Sequence, residues 1–220
     1  MNPLFPERTS LLATVLSAEE ALEAVAAGAG VIDVKNPSEG ALGAPAPSVI
    51  KAVRAVTPSH IHVSAALGDM PFLPGTAALA AVGAASAGAS IVKVGLYGPS
   101  NPEEAFLLLE VTAGALRNSF PETVLVAGAY ADASRFGGID PLAVPECATR
   151  AGAAGCLLDT FDKSPGHPLP DILPLDAIEF FIRSCRKNGL FSALAGSLGT
   201  TETALLLPLR PDYLGYRGAL

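Results

Sequence analysis

The sequence predicts an α/β protein, a TIM (β/α)8 barrel formed by residues 1–220 as one domain, and three observations carry that prediction. Eight short apolar runs recur along the 220 residues, each separated from the next by a stretch with helical character. The runs are nearly continuous in hydrophobic residues, the habit of parallel strands covered by helices. No GxGxxG follows the first run, as a dinucleotide-binding open sheet would carry, so eight units favour a closed barrel. Half of the residues are apolar but only 6% are aromatic and none is Trp, so the core must be built mostly from Ala, Val, Leu and Ile. That composition suits a layered α/β protein of one-domain length.

Taken in order, the strand candidates are SLLATVLS, GVIDVK, HIHVSAAL, SIVKVGLYG, VLVAGAYAD, GCLLDT, FSALAGS and YLGYRGAL. The first is followed by AEEALEAVAAGA, a helix capped by Ser17 and closed by glycine. SVIKAVRAVTP, TAALAAVGAASAGA, NPEEAFLLLEVTAGALRNSF, PLAVPECATRAGA, LDAIEFFIRSCRKNG and TTETALLLPL are the helices that follow the next six strands. The sequence stops at Leu220, on or just after the eighth strand. An eighth outer helix is therefore expected to be missing, so that either the chain is shortened here or a neighbouring subunit of a homo-oligomer covers the gap.

Charge and hydropathy exclude several classes of partner. A net charge of −7 and an isoelectric point near 4.9 leave no cationic footprint for nucleic acid. Residues 71–92 carry no charge and could in length span a bilayer, but Ala, Gly and Ser transfer weakly into hydrocarbon, and the segment divides into a helix and a strand. No membrane association is expected. The N-terminus lacks a basic, then apolar, leader, which predicts a cytoplasmic protein. Cys147, Cys156 and Cys185 are odd in number and widely spaced, as reduced buried thiols are. His60 and His62 share a face as HxH, but no third ligand cluster accompanies them, so no metal site is expected.

Four strands carry charge where grease would suffice. Asp33 and Lys35 share one face of the second strand while Ile32 and Val34 share the other. In a barrel the apolar pair faces the helices, so Asp33 and Lys35 point inward near the rim. Lys93 lies within SIVKVGLYG, Asp159 ends GCLLDT, and Arg217 lies in YRGA. These strands are the second, fourth, sixth and eighth, and alternate strands supply one interior layer. Lys35, Lys93, Asp159 and Arg217 are thus expected to converge, since buried charge without a purpose costs too much.

Two lysines at a barrel rim point to amine chemistry. Desolvation and a neighbouring ammonium both push a lysine toward its neutral, nucleophilic form, which can condense with a carbonyl. Asp33 and Asp159 could then move protons while a second cation holds an anion. The loops after strands seven and eight offer AGSLGTTE, with Gly196 and Ser197, and YRGA, with Arg217 and Gly218. Small residues there let backbone N–H groups reach a phosphate. Long loops after the second and sixth strands, NPSEGALGAPAPS and FDKSPGHPLPDILPLD, belong to the same rim and read either as lids or as insertions tolerated on the surface. A phosphorylated aldehyde or ketone fits the set.

DVKNPSEGALGA, VSAALGD, IVKVGLYG, GAYADASRFGGIDPL, LLDTFDKS, ALAGS and YRGA together resemble the (5-formylfuran-3-yl)methyl phosphate synthase family of methanogens and methylotrophs, over about residues 10–218. The resemblance implies a TIM barrel that condenses two molecules of glyceraldehyde 3-phosphate, one after isomerisation to dihydroxyacetone phosphate, into a phosphorylated furan aldehyde. Phosphate and water are lost, and the product supplies the furan of methanofuran or a related C1 carrier. It implies Lys35 as the Schiff-base lysine and Asp33, Lys93, Asp159 and Lys163 as the other catalytic positions. It implies no cofactor, because the iminium is itself the electron sink. Two departures accompany it: the family continues past RGA with a basic segment, and it does not require His60 or His62.

Two alternatives share parts of this pattern. A conventional class I aldolase acting on another phosphorylated sugar would use the same lysine and carboxylates. A non-catalytic barrel binding a phosphometabolite would tolerate Lys35→Arg, whereas imine chemistry would not.

Overall fold

Several helices start where the sequence supplies a side-chain cap or a proline for the first turn. The computed structural model describes residues 4–163 and 167–217. After β1 (Ser10–Val15), the Ser17 hydroxyl accepts from the Glu20 amide at 3.3 Å and the Glu20 carboxylate accepts from the Leu16 amide at 2.8 Å, which starts α1 (Ala18–Ala26). After β2 (Val31–Val34) and β3 (His62–Asp69) come α2 (Pro47–Val56) and α3 (Pro74–Ser86). After β4 (Ile91–Gly95) comes α4 (Pro102–Ser119), which the Asn101 side chain caps through the Glu104 amide at 3.0 Å. All three helices carry proline in the first turn, where its missing N–H costs nothing.

The second half repeats the pattern with β5 (Val124–Tyr130), α5 (Val144–Ala151), β6 (Gly155–Asp159), α6 (Leu169–Ile172), α7 (Leu175–Lys187), β7 (Phe191–Leu194), α8 (Thr200–Leu206) and β8 (Tyr213–Tyr216). The strands pair in parallel in chain order and β8 closes on β1, so the fold is a TIM barrel. Two details differ from the sequence reading. The stretch PLAVPECATRAGA opens with a separate 3-10 turn at Pro141–Ala143, because the Asp140 carboxylate accepts from the Leu142 amide before α5 begins at Val144, with Pro145 in its first turn. The loop after β6 contains the single turn α6, its proline occupying the first turn as in the longer helices. Among the described residues no helix follows β8.

Period-two phasing divides the core into two shells. Ile32 and Val34 pack between strands and helices, while Val31 faces inward with Leu12, Ile91, Val126, Leu157, Phe191, Ala193 and Tyr213. The lower interior is filled, leaving only about 10 Å³ between these side chains. The uncharged segment 71–92 contributes α3 and β4, and no helix among the described residues is long and apolar enough to cross a membrane. Cys147, Cys156 and Cys185 are buried free thiols. Ser64 and Lys93 border the small void in the lower interior, and the other charged groups that face inward lie toward the strand C-termini.

Candidate active site

The strand ends fix which charges meet. Asp33 lies in β2, paired in register with Thr14 of β1 and Ser64 of β3. Its Oδ2 lies 2.6 Å from Lys93 Nζ and accepts a hydrogen bond from Thr14 Oγ1 at 3.2 Å. Both side chains of this ion pair are sealed, Lys93 at 3% and Asp33 at 1% exposure. Burial pushes the Lys93 amine down, an effect that the Asp33 carboxylate opposes and the nearby Lys35 ammonium reinforces.

Lys35 follows β2 directly and reaches across the barrel, its Nζ 3.8 Å from Asp159 Oδ2. That is ion-pair distance, too long for a hydrogen bond, and Asp159 Oδ2 has no hydrogen-bond partner among the described residues. Asp159 Oδ1 is engaged by Lys163 Nζ and by the Thr160 amide at 2.8 Å. Burial alone would raise the Asp159 carboxyl, but the ammoniums of Lys163 and Lys35 outweigh it and hold the group below the ordinary carboxylate range. One carboxylate thus serves two lysines, and its less occupied oxygen faces Lys35.

These groups border an open cleft of about 460 Å³, lined by Lys35, Asp159, Lys163, Gly196, Ser197 and Arg217 among others. Three cations and one carboxylate line it, in a chain whose overall charge is −7. The cleft therefore suits an anion although the protein as a whole does not. Gly196 and Ser197 hold φ of 114° and 52°, and a Cβ on Gly196 would meet Thr160 Cγ2 at 2.8 Å. The amides of Gly196, Ser197 and Leu198 donate to no described residue, which leaves consecutive N–H groups at the cleft wall as a backbone nest would.

The sequence-predicted residues fall into two levels. Lys35, Asp159, Lys163, Gly196, Ser197 and Arg217 share the cleft wall. Asp33 and Lys93 lie deeper, so the expected single ring of Lys35, Lys93, Asp159 and Arg217 is in fact staggered. The reason is register: Lys93 pairs with Ala66 and Val126 at mid-strand, whereas Lys35 and Arg217 follow the last residues of their strands. Gly218 lies outside the described residues. Among the described residues no group of three or more His, Cys, Asp or Glu is placed to hold a metal ion, and His62 Nδ1 lies 3.0 Å from Ser90 Oγ at the start of β3, far along the strand from the rim.

Five residues that sequence reasoning did not single out frame the site. Asp69 ends β3, accepts from the Leu42 amide at 3.0 Å and from the Tyr130 hydroxyl, and so pins the loop after β2. Gly40 of that loop approaches so closely that a Cβ would stand 2.0 Å from Asp69 Oδ2. Burial, reinforced by Asp69, pushes the Tyr130 phenol well up, so it stays a donor. Asp132 accepts from the amides of Phe161 and Asp162 at 2.7 and 2.9 Å, which fixes the loop that carries Lys163. Thr14 is the fifth. For the acids the signal was present, since VSAALGD and GAYAD close apolar runs with a carboxylate as LLD does.

Comparison with known proteins follows the same geometry. A family model described as 4-HFC-P synthase matches residues 11–220. The (5-formylfuran-3-yl)methyl phosphate synthase of Methanothermobacter thermautotrophicus is 44% identical over 209 residues, 95% of this chain and 88% of that one. The protein of the same name from Methanococcus aeolicus is 46% identical over the same shares of each chain. Among solved structures, 3-hexulose-6-phosphate synthase superposes with a TM-score of 0.62 at 22% identity, over 96% of this chain and 90% of that one. At that identity the likeness speaks to the barrel alone.

Proposed function

This chain belongs to the 4-HFC-P synthase family, and on that premise we propose that it is a carbon–carbon lyase-type enzyme that forms (5-formylfuran-3-yl)methyl phosphate from two molecules of glyceraldehyde 3-phosphate. One triose phosphate isomerises to dihydroxyacetone phosphate, whose ketone condenses with Lys35. The resulting enamine attacks the aldehyde of the second triose, and ring closure follows with loss of phosphate and water. The observation that carries this reading is the placement of Lys35. Its amine lies at the cleft wall, on a side chain 11% exposed, opposite a carboxylate oxygen that has no hydrogen-bond partner among the described residues.

An imine needs protons moved on and off nitrogen, oxygen and carbon at one place. Asp159 Oδ2 faces Lys35 and is suited to carry protons for carbinolamine formation and collapse. Lys163, 38% exposed beside Asp159, is the more exposed lysine of the two and suits a phosphate or a departing oxygen. Arg217 with the free amides around Gly196 and Ser197 supplies the other anion contacts; Gly218 joins them by resemblance. Asp33 and Lys93 act from beneath. The product would feed a furan-containing C1 carrier such as methanofuran.

Incubation with glyceraldehyde 3-phosphate alone tests the reading. Near-ultraviolet absorbance should report a conjugated furan aldehyde, and mass spectrometry should identify it. Lys35→Arg should lower kcat by about 10⁴-fold or more, because a guanidinium keeps the charge but cannot form the imine. Borohydride with dihydroxyacetone phosphate should trap an adduct on Lys35. An open-chain sugar phosphate as product would replace this reading with a conventional aldolase, and unimpaired ligand binding without turnover would indicate a binding protein.

A further inference from the structure

If the acid–base chemistry takes place in the cleft, the sealed lysine needs a way to reach it. Lys93 does not border the cleft, and neither does Asp33. Thr14 does. Its hydroxyl donates to Asp33 Oδ2 at 3.2 Å, and that same oxygen lies 2.6 Å from Lys93 Nζ. Among the described residues, Thr14 is the side chain that both lines the cleft and hydrogen-bonds to the sealed pair. It sits on the inward phase of β1, one period above Leu12, where a hydrophobe would have continued the apolar floor.

We propose that Thr14 is a catalytic relay whose hydroxyl passes a proton between an oxygen of the bound substrate and the Asp33–Lys93 pair. The inference rests on the reading of Lys35 as the imine-forming residue. The step it serves is protonation of the alkoxide left by carbon–carbon bond formation. The enamine electron pair forms the new bond and restores the iminium, while the aldehyde π pair becomes a lone pair on oxygen. Thr14 gives its hydroxyl proton to that oxygen and takes one from Asp33, which takes one from Lys93. Thr14 and Asp33 end as they began, Lys93 ends neutral, and the substrate gains one O–H bond.

The surroundings favour this direction of flow. Burial makes the Lys93 ammonium a readier acid than a solvated lysine, and Asp33, Lys35 and Asp159 are the charged groups that act on it from β2 and β6. A hydroxyl is suited to the relay because rotation about one bond lets it donate to Asp33 at rest and to the cleft in turn. A threonine kept for shape alone would be matched by valine. One kept for its hydroxyl would not.

Thr14→Val and Thr14→Ser separate these cases, with Thr14→Ala as a second hydroxyl-free variant. Three readouts apply: borohydride trapping of the imine with dihydroxyacetone phosphate, kcat and KM for furan formation, and the pH profile of kcat. The valine variant should trap as fully as wild type while kcat falls about 100-fold and KM changes less than about two-fold. Its profile should lose the alkaline decline that deprotonation of Lys93 imposes on wild type. Serine should restore kcat to within about five-fold of wild type. A valine variant within about three-fold of wild-type kcat would overturn the relay. So would loss of trapping in parallel with turnover in both hydroxyl-free variants, or serine no better than valine. A wild-type protein that neither traps nor turns over would instead overturn the imine reading, and with it the relay.

Discussion

Lys93 and Asp33 meet at 2.6 Å with both side chains sealed, whereas Lys35 stands 3.8 Å from Asp159 at the edge of an open cleft. The first pair is matched one to one. In the second, a single carboxylate is shared by two ammoniums, so positive charge is left over and faces the space where an anion would bind. Burial explains both arrangements. A charge removed from water must be neutralised by its neighbour, while one that touches an open cleft can await a ligand. The deep pair therefore belongs to the folded state as much as to the chemistry, and the upper group belongs to the chemistry first.

Breaking the deep pair should give the largest loss of stability. Lys93→Met leaves Asp33 as an uncompensated buried carboxylate whose Oδ1 already has no hydrogen-bond partner among the described residues, and should cost about 3–5 kcal/mol in urea unfolding. Lys93→Met combined with Asp33→Leu should recover most of that loss, because neutral side chains of similar size need no partner. If the double variant is as unstable as the single one, packing rather than charge governs this level.

At the upper level the expected cost is smaller and depends on pH. Asp159→Asn removes the charge that Lys163 and Lys35 share and should lower stability by about 1.5–3 kcal/mol at neutral pH. The sign with pH follows from the lowered carboxyl: its stabilisation is present above the unfolded value near 3.9 and disappears as pH falls through the folded one. Wild type and variant should therefore converge in midpoint as the solution is acidified below about pH 4. A gap that persisted in acid would mean the carboxylate was not stabilised by the lysines.

Much of this contrast could be read from the residues in order. GVIDVK placed Ile32 and Val34 outward and Asp33 inward by phase alone, and both shells of the core obey it. Depth could not be read that way, because stagger between strands is set by pairing register, which no local stretch encodes. Lys93 thus looked equivalent to Lys35 but lies beneath it. Thr14 escaped notice because a hydroxyl among apolar residues is ordinary in a strand, and its partner comes from another strand. Lys163 was reached through resemblance, since its loop carries no periodicity.

The loop beneath Lys163 offers a finer test of the same division. Asp132 holds the Phe161 and Asp162 amides with both carboxylate oxygens, and Asn can keep only one of these bonds. Asp132→Asn should cost about 1 kcal/mol and raise KM several-fold, as Lys163 loses its fixed base, with a smaller change in kcat.

The smallest effect is expected on the outside of the barrel. Arg150 forms a two-pronged contact with Glu103 at 3.0 and 3.2 Å and lies 4.2 Å above the Phe106 ring. By distance alone it is a better-made pair than Lys35 with Asp159. Yet both partners are solvated, water already satisfies each charge, and holding two long side chains together costs entropy. Arg150→Met should keep the contact with Phe106 and shift the unfolding midpoint by no more than about 1 °C. A shift as large as that of Asp159→Asn would break the comparison, because geometry would then count for more than exposure in this molecule.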